Sequence, residues 1–253
     1  MPKQNGTRTH TMRAQIELRQ RILNGELTGG TRVYEVTLAE ELQISRTPAR
    51  EAMARLVEEG LLERGSRGGF TVRSFNYADV VDTIELRGVL EGTAARLAAE
   101  RGVPADLLDS AATILDEIDA SFGPATGDVD FAAYSAANAR FHQTLADMSG
   151  SAVMQLELAR ITRLPFAAPS AFLPFRLQSV DFKLELLDGQ RQHRRILDAI
   201  TNREGARAES LAREHARAAR INIGRIFGRD GKISANIPAL ALIAPPKAAM
   251  PSE

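Results

Sequence analysis

One stretch, residues 37–60, constrains the fold of this chain more than any other. Its sequence, TLAEELQISRTPAREAMARLVEEG, is typical of two short helices joined by a sharp turn. Thr37 and Glu40 have the spacing of a capping box that would begin the first helix. Ser45 can cap the second helix, and Pro48 fits its first turn because no N–H donor is needed there. The stretch therefore predicts a helix-turn-helix.

The second helix of this pair begins with side chains that suit contact with DNA. Ser45, Arg46, Thr47 and Arg50 crowd its N-terminus, where unpaired backbone N–H groups favour phosphate. Arg46 and Arg50 are four residues apart and share a face, so an arginine could bind guanine in a major groove. The same residues would also suit an ordinary solvent-exposed helix start, and the helix pair alone leaves both interpretations open.

A β-hairpin with a glycine-rich, basic tip is expected directly after the helix pair. Residues 61–64 and 70–73 have the composition of two short strands, and Arg67, Gly68 and Gly69 form the tip between them. Such a hairpin can lie beside a minor groove or a phosphate backbone. Its presence favours the DNA-binding interpretation of the helix pair.

Taken together, residues 37–73 resemble the winged helix of the GntR family of bacterial transcription regulators. The matching residues are Leu38–Glu40, Ser45–Ala52, Leu56, Glu59–Leu61 and Arg67–Gly69. The resemblance implies that the chain binds double-stranded operator DNA as a homodimer. The predicted DNA contacts are Thr37, Ser45, Arg46, Thr47, Arg50, Arg67, Gly68 and Gly69.

Composition narrows the class of protein further. The chain has no cysteine, which excludes disulfides and thiolate metal sites and suits the cytoplasm. We find no signal peptide and no apolar run long enough for a membrane, so we expect no membrane partner. Residues 1–75 hold 12 Lys and Arg against 9 Asp and Glu. This weakly basic N-terminal part suits site-specific DNA binding.

The rest of the chain reads as helices without a convincing strand. The expected helices are 77–101, 104–121, 128–149, 151–164, 174–201 and 204–227. We therefore predict a mostly α protein, in which a winged helix-turn-helix precedes an all-α antiparallel bundle of about six helices. The predicted divisions are a winged domain at 1–75 with a disordered lead at 1–10, an effector-binding and dimerisation domain at 76–228, and a flexible tail at 229–253.

Three of the four histidines fall on three different predicted helices of this bundle. His142 shares a helix face with Asn138, four residues before it, and His193 and His215 lie on two later helices. Side chains from several helices can converge inside a bundle to hold a metal ion such as Zn, Ni, Fe or Mn. Isolated histidines on amphipathic helices are, however, more often surface or hydrogen-bonded core residues.

The helical part resembles the FCD domain that accompanies GntR heads in the FadR-like branch. The matching runs are Glu85–Glu91, Ala94–Arg101, Phe141–Leu145, His193–Ile200 and Glu214–His215. The resemblance implies a divalent metal, zinc before Ni, Fe or Mn, held by Asn138, His142, His193 and His215. It also implies that a small organic acid binds there as effector. Asn138 stands where the family often has Asp, and its neutral oxygen is a weaker ligand.

Helix geometry adds three candidate effector contacts. Tyr134 lies one helical step before Asn138, and Asn222 returns to the face of His215. Arg87 could grip a carboxylate with two hydrogen bonds, or it could form an ordinary ion pair with Glu91 on its own helix. The sequence leaves both roles of Arg87 open.

The leading hypothesis is a ligand-responsive transcription regulator, expected to be a repressor that binds a pseudo-palindromic operator. One alternative is a metalloenzyme that uses the three-histidine centre, although no carboxylate is expected at an obvious general-base position beside all three histidines. A second alternative is a DNA-binding regulator whose metal is only structural.

Overall fold

The structure is a computed structural model that describes residues 3–65, 68–124, 128–164, 166–169, 180–226 and 242–243, with side chains left out at 3–8, 180–182 and 222–226. The elements in chain order are α1 Lys3–Leu23, β1 Arg32–Val33, α2 Glu35–Leu42, α3 Arg46–Glu58, β2 Leu62–Arg64, β3 Phe70–Val72, α4 Tyr77–Arg101, α5 Ala105–Ala120, α6 Phe131–Met148, α7 Ala152–Ile161, α8 Val180–Thr201 and α9 Gly205–Ile226. The chain divides into two compact units, the first built on Met1–Val80 and the second on Val81–Thr162 with Phe166–Ile226. The predicted fold class is confirmed.

The first unit is a winged helix-turn-helix. Helices α2 and α3 are joined at Gln43, whose positive φ of 53° makes the sharp turn. The apolar faces of α1 and α3 are buried against each other, and Thr11 donates to the Glu51 carboxylate across them at 3.0 Å. Strands β2 and β3 form the predicted wing, and β1 adds a third antiparallel strand in the order β1-β3-β2. The sequence analysis did not predict β1, which has only two residues.

Two features of the first helices differ from the sequence expectation. Helix α2 begins at Glu35 after an extended Tyr34, so Thr37 lies inside its first turn and the predicted capping box is wrong. Glu35 favours this earlier start because a carboxylate is stabilised near a helix N-terminus. Helix α1 begins at Lys3, so the expected disordered lead is helical from residue 3. A helix once nucleated extends along the chain with little further cost.

The second unit consists of helices α4 to α9, whose bounds lie close to those expected. Asp130 caps α6 by accepting from the N–H groups of Ala132 and Ala133, and Ser151 caps α7. The main core forms where α5, α6, α8 and α9 bury residues such as Leu115, Phe141 and Ile196. This packing places the inner faces of α6, α8 and α9 side by side.

The tail 229–253 lies outside the described residues except for two of them. Leu242 and Ile243 are buried, and the Leu242 carbonyl accepts from the Phe75 N–H at 2.8 Å. These two residues therefore pack on the first unit, and the flexibility predicted for the rest of the tail stays a prediction.

Candidate metal centre and nucleic-acid interface

The N-terminus of α3 offers the predicted DNA contacts to solvent. Ser45, Arg46, Thr47 and Arg50 are exposed, whereas Pro48 and Ala49, which lie among them, are buried in the unit core. Ser45 occupies the N-cap position without forming a side-chain cap hydrogen bond. Its hydroxyl is therefore not engaged by the helix that it begins, and it is available for a phosphate.

Among the described residues, Arg50 has one long-range electrostatic contact. Its Nε lies 3.9 Å from the Oε2 of Glu35, and the Arg50 side chain is 69% exposed. An exposed ion pair at this distance contributes little to stability. The guanidinium can therefore exchange this contact for a nucleic-acid partner. Thr37 is also exposed, on α2.

The wing tip is described only in part. Gly68 and Gly69 have positive φ angles of 82° and 78°, and the Gly65 N–H donates to the Gly69 carbonyl at 3.2 Å. A left-handed backbone of this kind favours glycine, which explains the pair. Arg67, the predicted basic contact, lies outside the described residues.

The three histidines of the second unit converge. The Nε2 atoms of His193 and His215 are 3.0 Å apart, and one ring nitrogen of each of the three residues lies within 4.8 Å of the others. The ring of His142 lies 5.3 Å from that of His193 and 5.4 Å from that of His215, measured between centroids. His142 and His193 are buried and His215 is partly exposed. Helices α6, α8 and α9 each supply one ring.

Each ring is held through its Nδ1 by an oxygen acceptor. The Nδ1 of His142 donates to Glu91 Oε1 at 2.8 Å, and that of His215 donates to Gln192 Oε1 at 2.8 Å. The Nδ1 of His193 lies 3.2 Å from Gln190 Oε1. The amide nitrogen of Gln190 donates to Leu115 O and to Asp119, so its oxygen is the end left to face His193. A neutral imidazole with Nδ1–H carries its lone pair on Nε2.

This tautomer assignment puts the lone pair of each of the three rings on Nε2. Two facing Nε2 lone pairs at 3.0 Å repel each other unless a proton or a cation lies between them. Burial and the neighbouring His142 lower the pKa of His215 to about 3, and burial with the charges of the other two histidines lowers the pKa of His193 well below its usual value. The environment therefore disfavours a proton. The Nε2 of His142 is buried without a hydrogen-bond partner among the described residues.

These features fit a metal ion. Zinc binds histidine nitrogen at about 2.0–2.1 Å, which separates two tetrahedral ligand atoms by roughly 3.3 Å. The 3.0 Å between His193 and His215 is close to that separation. An ion held by these two nitrogens would also satisfy His142 Nε2. Oxygen acceptors on the opposite ring nitrogen are the usual support of histidine metal ligands.

A buried ion pair supports the centre from α4. Arg87 and Glu91 are each about 2% exposed, and Arg87 Nε lies 3.7 Å from Glu91 Oε2. Arg87 also donates from Nη1 to the Ala167 carbonyl at 2.7 Å. Burial raises the pKa of Glu91, but the charges of His142 and Arg87 and the hydrogen bond from His142 outweigh it and bring the pKa down to about 2. The Arg87–Glu91 pair that the sequence offered as one alternative is thus present, inside the protein.

One carboxylate that sequence reasoning did not single out as a contact of the histidines lies beside one of them. Glu91 contacts the Nδ1 of His142. Its oxygen is bound to the Nδ1 side of the ring, away from the Nε2 lone pair, which suits support and not proton transfer. One signal was available in the sequence. Arg87 and Glu91 fall at helical spacing in an otherwise apolar row with Ile84, Ala94 and Ala98, all of which are buried.

Asn138 and Tyr134, two further predicted site residues, are both buried on α6. Asn138 is buried on α6, one helical step before His142. Tyr134 is buried one step earlier, with its ring against Phe122 at 5.7 Å, and burial raises its pKa. The side chain of Asn222 lies outside the described residues. A Cβ built on Gly189 would lie 3.8 Å from the Tyr134 hydroxyl and 3.7 Å from His215 Cε1, so these two groups border one space.

Comparison with known proteins gives matches to two family profiles and to several regulators. The profile of the FCD domain matches residues 82–218, and the profile described as bacterial regulatory proteins, gntR family, matches residues 11–72. The uncharacterized HTH-type transcriptional regulator YdhC of Bacillus subtilis is 29% identical over 202 residues, which are 78% of this chain and 84% of that protein. No described helix of this chain is both long and apolar enough to cross a membrane.

Two further relatives cover most of the chain. The probable D-xylose utilization operon transcriptional repressor of Paenarthrobacter nicotinovorans is 31% identical over 198 residues, 78% of this chain and 81% of that protein. The solved structure of E. coli McbR/YncC, 21% identical, covers 86% of this chain and 97% of its own with a TM-score of 0.59. The second similarity shows the shared fold.

Proposed function

The chain belongs to the gntR family of bacterial regulatory proteins and has an FCD domain, and from this membership we propose that it is a repressor controlled by a small carboxylate bound at a metal ion. It is a transcription regulator and not an enzyme, since both domains and the relatives are those of regulators. The observation on which the proposal mainly rests is the convergence of three histidine rings in a chain that also exposes the N-terminus of α3.

For DNA binding we propose a homodimer on a pseudo-palindromic operator. In a symmetric dimer two copies of α3 would enter successive major grooves about 34 Å apart. Arg46 and Arg50 would contact bases, whereas Ser45, Thr47, Thr37 and the tip residues Arg67, Gly68 and Gly69 would mainly hold phosphates. The protein would bind its operator DNA in the cytoplasm.

For the second unit we propose a zinc ion held by His142, His193 and His215, with Asn138 as a fourth and weaker ligand. Zinc suits three imidazoles, although nitrogen ligands also accept Ni, Fe or Mn. The ion would supply a Lewis-acidic point to which a carboxylate can bind. Because Asn138, the proposed fourth ligand, is neutral, the ion would keep its full positive charge and the binding of a carboxylate would stay favourable.

For the effector we propose the space beside the partly exposed His215. Tyr134 borders this space, and Asn222 follows on the His215 helix. Arg87 would reach the effector by exchanging its bond to the Ala167 carbonyl for one to a carboxylate, which is the stronger partner because it is charged. An effector that binds one arrangement of the two units better than another changes operator affinity by roughly 5–150-fold.

The DNA-binding half can be tested with the promoter region of the protein's own gene. Fluorescence anisotropy at moderate salt should show saturable binding that excess unrelated DNA does not remove. Arg46→Ala should weaken this binding by about 1–3 kcal/mol and relax the base preference at one position. Arg160→Ala, a change at an exposed arginine of α7 in the second unit, is the control. Equal binding to promoter and unrelated DNA would refute the proposal.

A further inference from the structure

The charges around the three histidines define the anion that the centre can accept. We propose that the centre binds a divalent cation together with a dianionic ligand of the dicarboxylate type, and that each binds weakly without the other. This inference rests on the metal centre of the proposed function and adds the charge of the ligand to it.

All four proposed ligands of the ion are neutral. His142 donates Nδ1–H to Glu91, and His193 and His215 face glutamine oxygens through Nδ1, so the three Nε2 atoms offer lone pairs and no charge. Asn138, on the same face of α6 as His142, has a carboxamide in place of a carboxylate. The first coordination sphere therefore compensates none of the two positive charges of the ion.

The one buried carboxylate near the histidines is already balanced. Among the described residues of the second unit, Glu91 and Arg87 are the two buried side chains that carry a full charge. Their side chains lie 3.7 Å apart, and a backbone carbonyl holds the arginine in place. The pair contributes no net charge to the centre.

Two acidic groups farther out are balanced as well. Asp119, which reaches His193 through Gln190, is bound by Arg194. Glu209 on α9 contacts Arg96 at 3.1 Å and Arg213 at 3.0 Å. Neither carboxylate is therefore an unpaired charge that would compensate a cation among the rings.

A divalent cation would therefore bring two uncompensated charges into a largely buried place. Such charges are costly unless they are paired. A monocarboxylate would compensate one of the two positive charges, whereas a dianion would compensate both. Entry is available on the side of His215, which is partly exposed and lies beside the glycine at position 189.

The proposal can be tested with matched anions that differ in charge but not in length. Isothermal titration of the zinc-loaded full chain should compare malonate with malonamate and succinate with succinamate. We expect at least one dianion to bind about tenfold or more tightly than its monoamide, because one full charge at short range is worth at least that ratio. Protein stripped of metal should bind neither member of a pair.

The variant Asn138→Asp separates charge from shape. It adds one negative charge to the centre without changing the anion, so it should bind zinc more tightly in anion-free buffer and lose most of the preference for the dianion. An unchanged preference in a variant with native circular dichroism would overturn the inference, as would equal affinity for both members of every pair in the wild type. If metal analysis after dialysis finds no zinc with any anion, the metal centre of the proposed function fails as well.

Discussion

At the scale of single residues, the centre depends on side chains that are not ligands. Glu91, Gln190 and Gln192 each accept from an Nδ1–H, and so they decide which ring nitrogen carries the lone pair. Glu91 also has Arg87 as its counter-ion. Removal of one partner of such a pair leaves a buried charge, whereas removal of both leaves none. Loss of both residues should therefore cost little stability, although it should still weaken metal binding.

The first prediction concerns this pair. Arg87→Met should lower the free energy of unfolding by about 3–5 kcal/mol because it leaves Glu91 buried without its counter-ion. The double variant Arg87→Met/Glu91→Gln should recover most of that loss, yet bind zinc about 10–100-fold more weakly than the wild type. Urea unfolding and competition with a zinc chelator measure the two effects. A double variant as unstable as the single one would show that the pair acts otherwise.

The second prediction concerns the loss of stability of the metal-free protein at low pH. His215 has a folded-state pKa of about 3 against 6.5 in the unfolded chain, and Glu91 about 2 against 4.5. Between the folded-state and the unfolded-state pKa of each group, the unfolded chain binds more protons than the folded protein. The stability that each group contributes is therefore fully present above its unfolded-state pKa and is lost as the pH falls towards its folded-state pKa. The melting temperature of metal-free protein should drop from pH 6.5 towards pH 3. A flat profile over this range would contradict these pKa shifts, and His10→Gln, a change at an exposed histidine, is the control.

At the scale of helices, two glycines show how closely the elements pack. A Cβ on Gly88 of α4 would lie 2.7 Å from the Ala216 Cβ of α9, which is too close. A Cβ on Gly189 of α8 would make only ordinary contacts, the nearest at 3.7 Å to His215. Glycine is needed for close approach at the first position and is only a weak helix former at the second.

The third prediction follows from this contrast. Gly88→Ala should destabilise the protein by about 1–3 kcal/mol through overpacking. Gly189→Ala should stabilise it by about 0.5–1 kcal/mol because alanine restricts the unfolded chain and fits the space. Denaturant unfolding of the metal-free variants measures both changes. Two shifts of the same sign would contradict the described packing of α4 against α9.

Helix positions and the histidine set could be predicted from the sequence, but the supporting contacts could not. The bounds of α4 are those expected, because breakers and caps act locally. The buried row of α1 is Ala14, Leu18 and Ile22, whereas the apolar Met12 and Ile16 of the same helix are exposed. Two apolar rows compete on that helix, and packing against α3 decides between them. The contact of Glu91 with His142 joins residues 51 positions apart, which no local pattern specifies.

At the scale of the whole molecule, one chain combines a winged helix-turn-helix unit and a helical unit with a candidate metal centre. In the proposed function, the exposed start of α3 would provide the DNA contacts, and the three histidines would provide a place where a small ligand can act. Regulation requires only that the ligand binds one state of the protein more tightly than another, and the coupling then works in both directions. A purely structural metal would stabilise the second unit without this coupling.

The central claim is that the metal centre controls operator affinity, and one measurement tests it most directly. Operator affinity of the full chain should be measured by anisotropy with zinc-loaded protein, metal-free protein and His193→Ala, each with and without the carboxylates that bind the loaded protein in titration. We predict that a binding carboxylate changes the affinity of the loaded wild type by roughly 5–150-fold and leaves the other two unchanged. An equal response in all three, or a metal that raises the melting temperature while no binding carboxylate alters operator affinity, would contradict the claim.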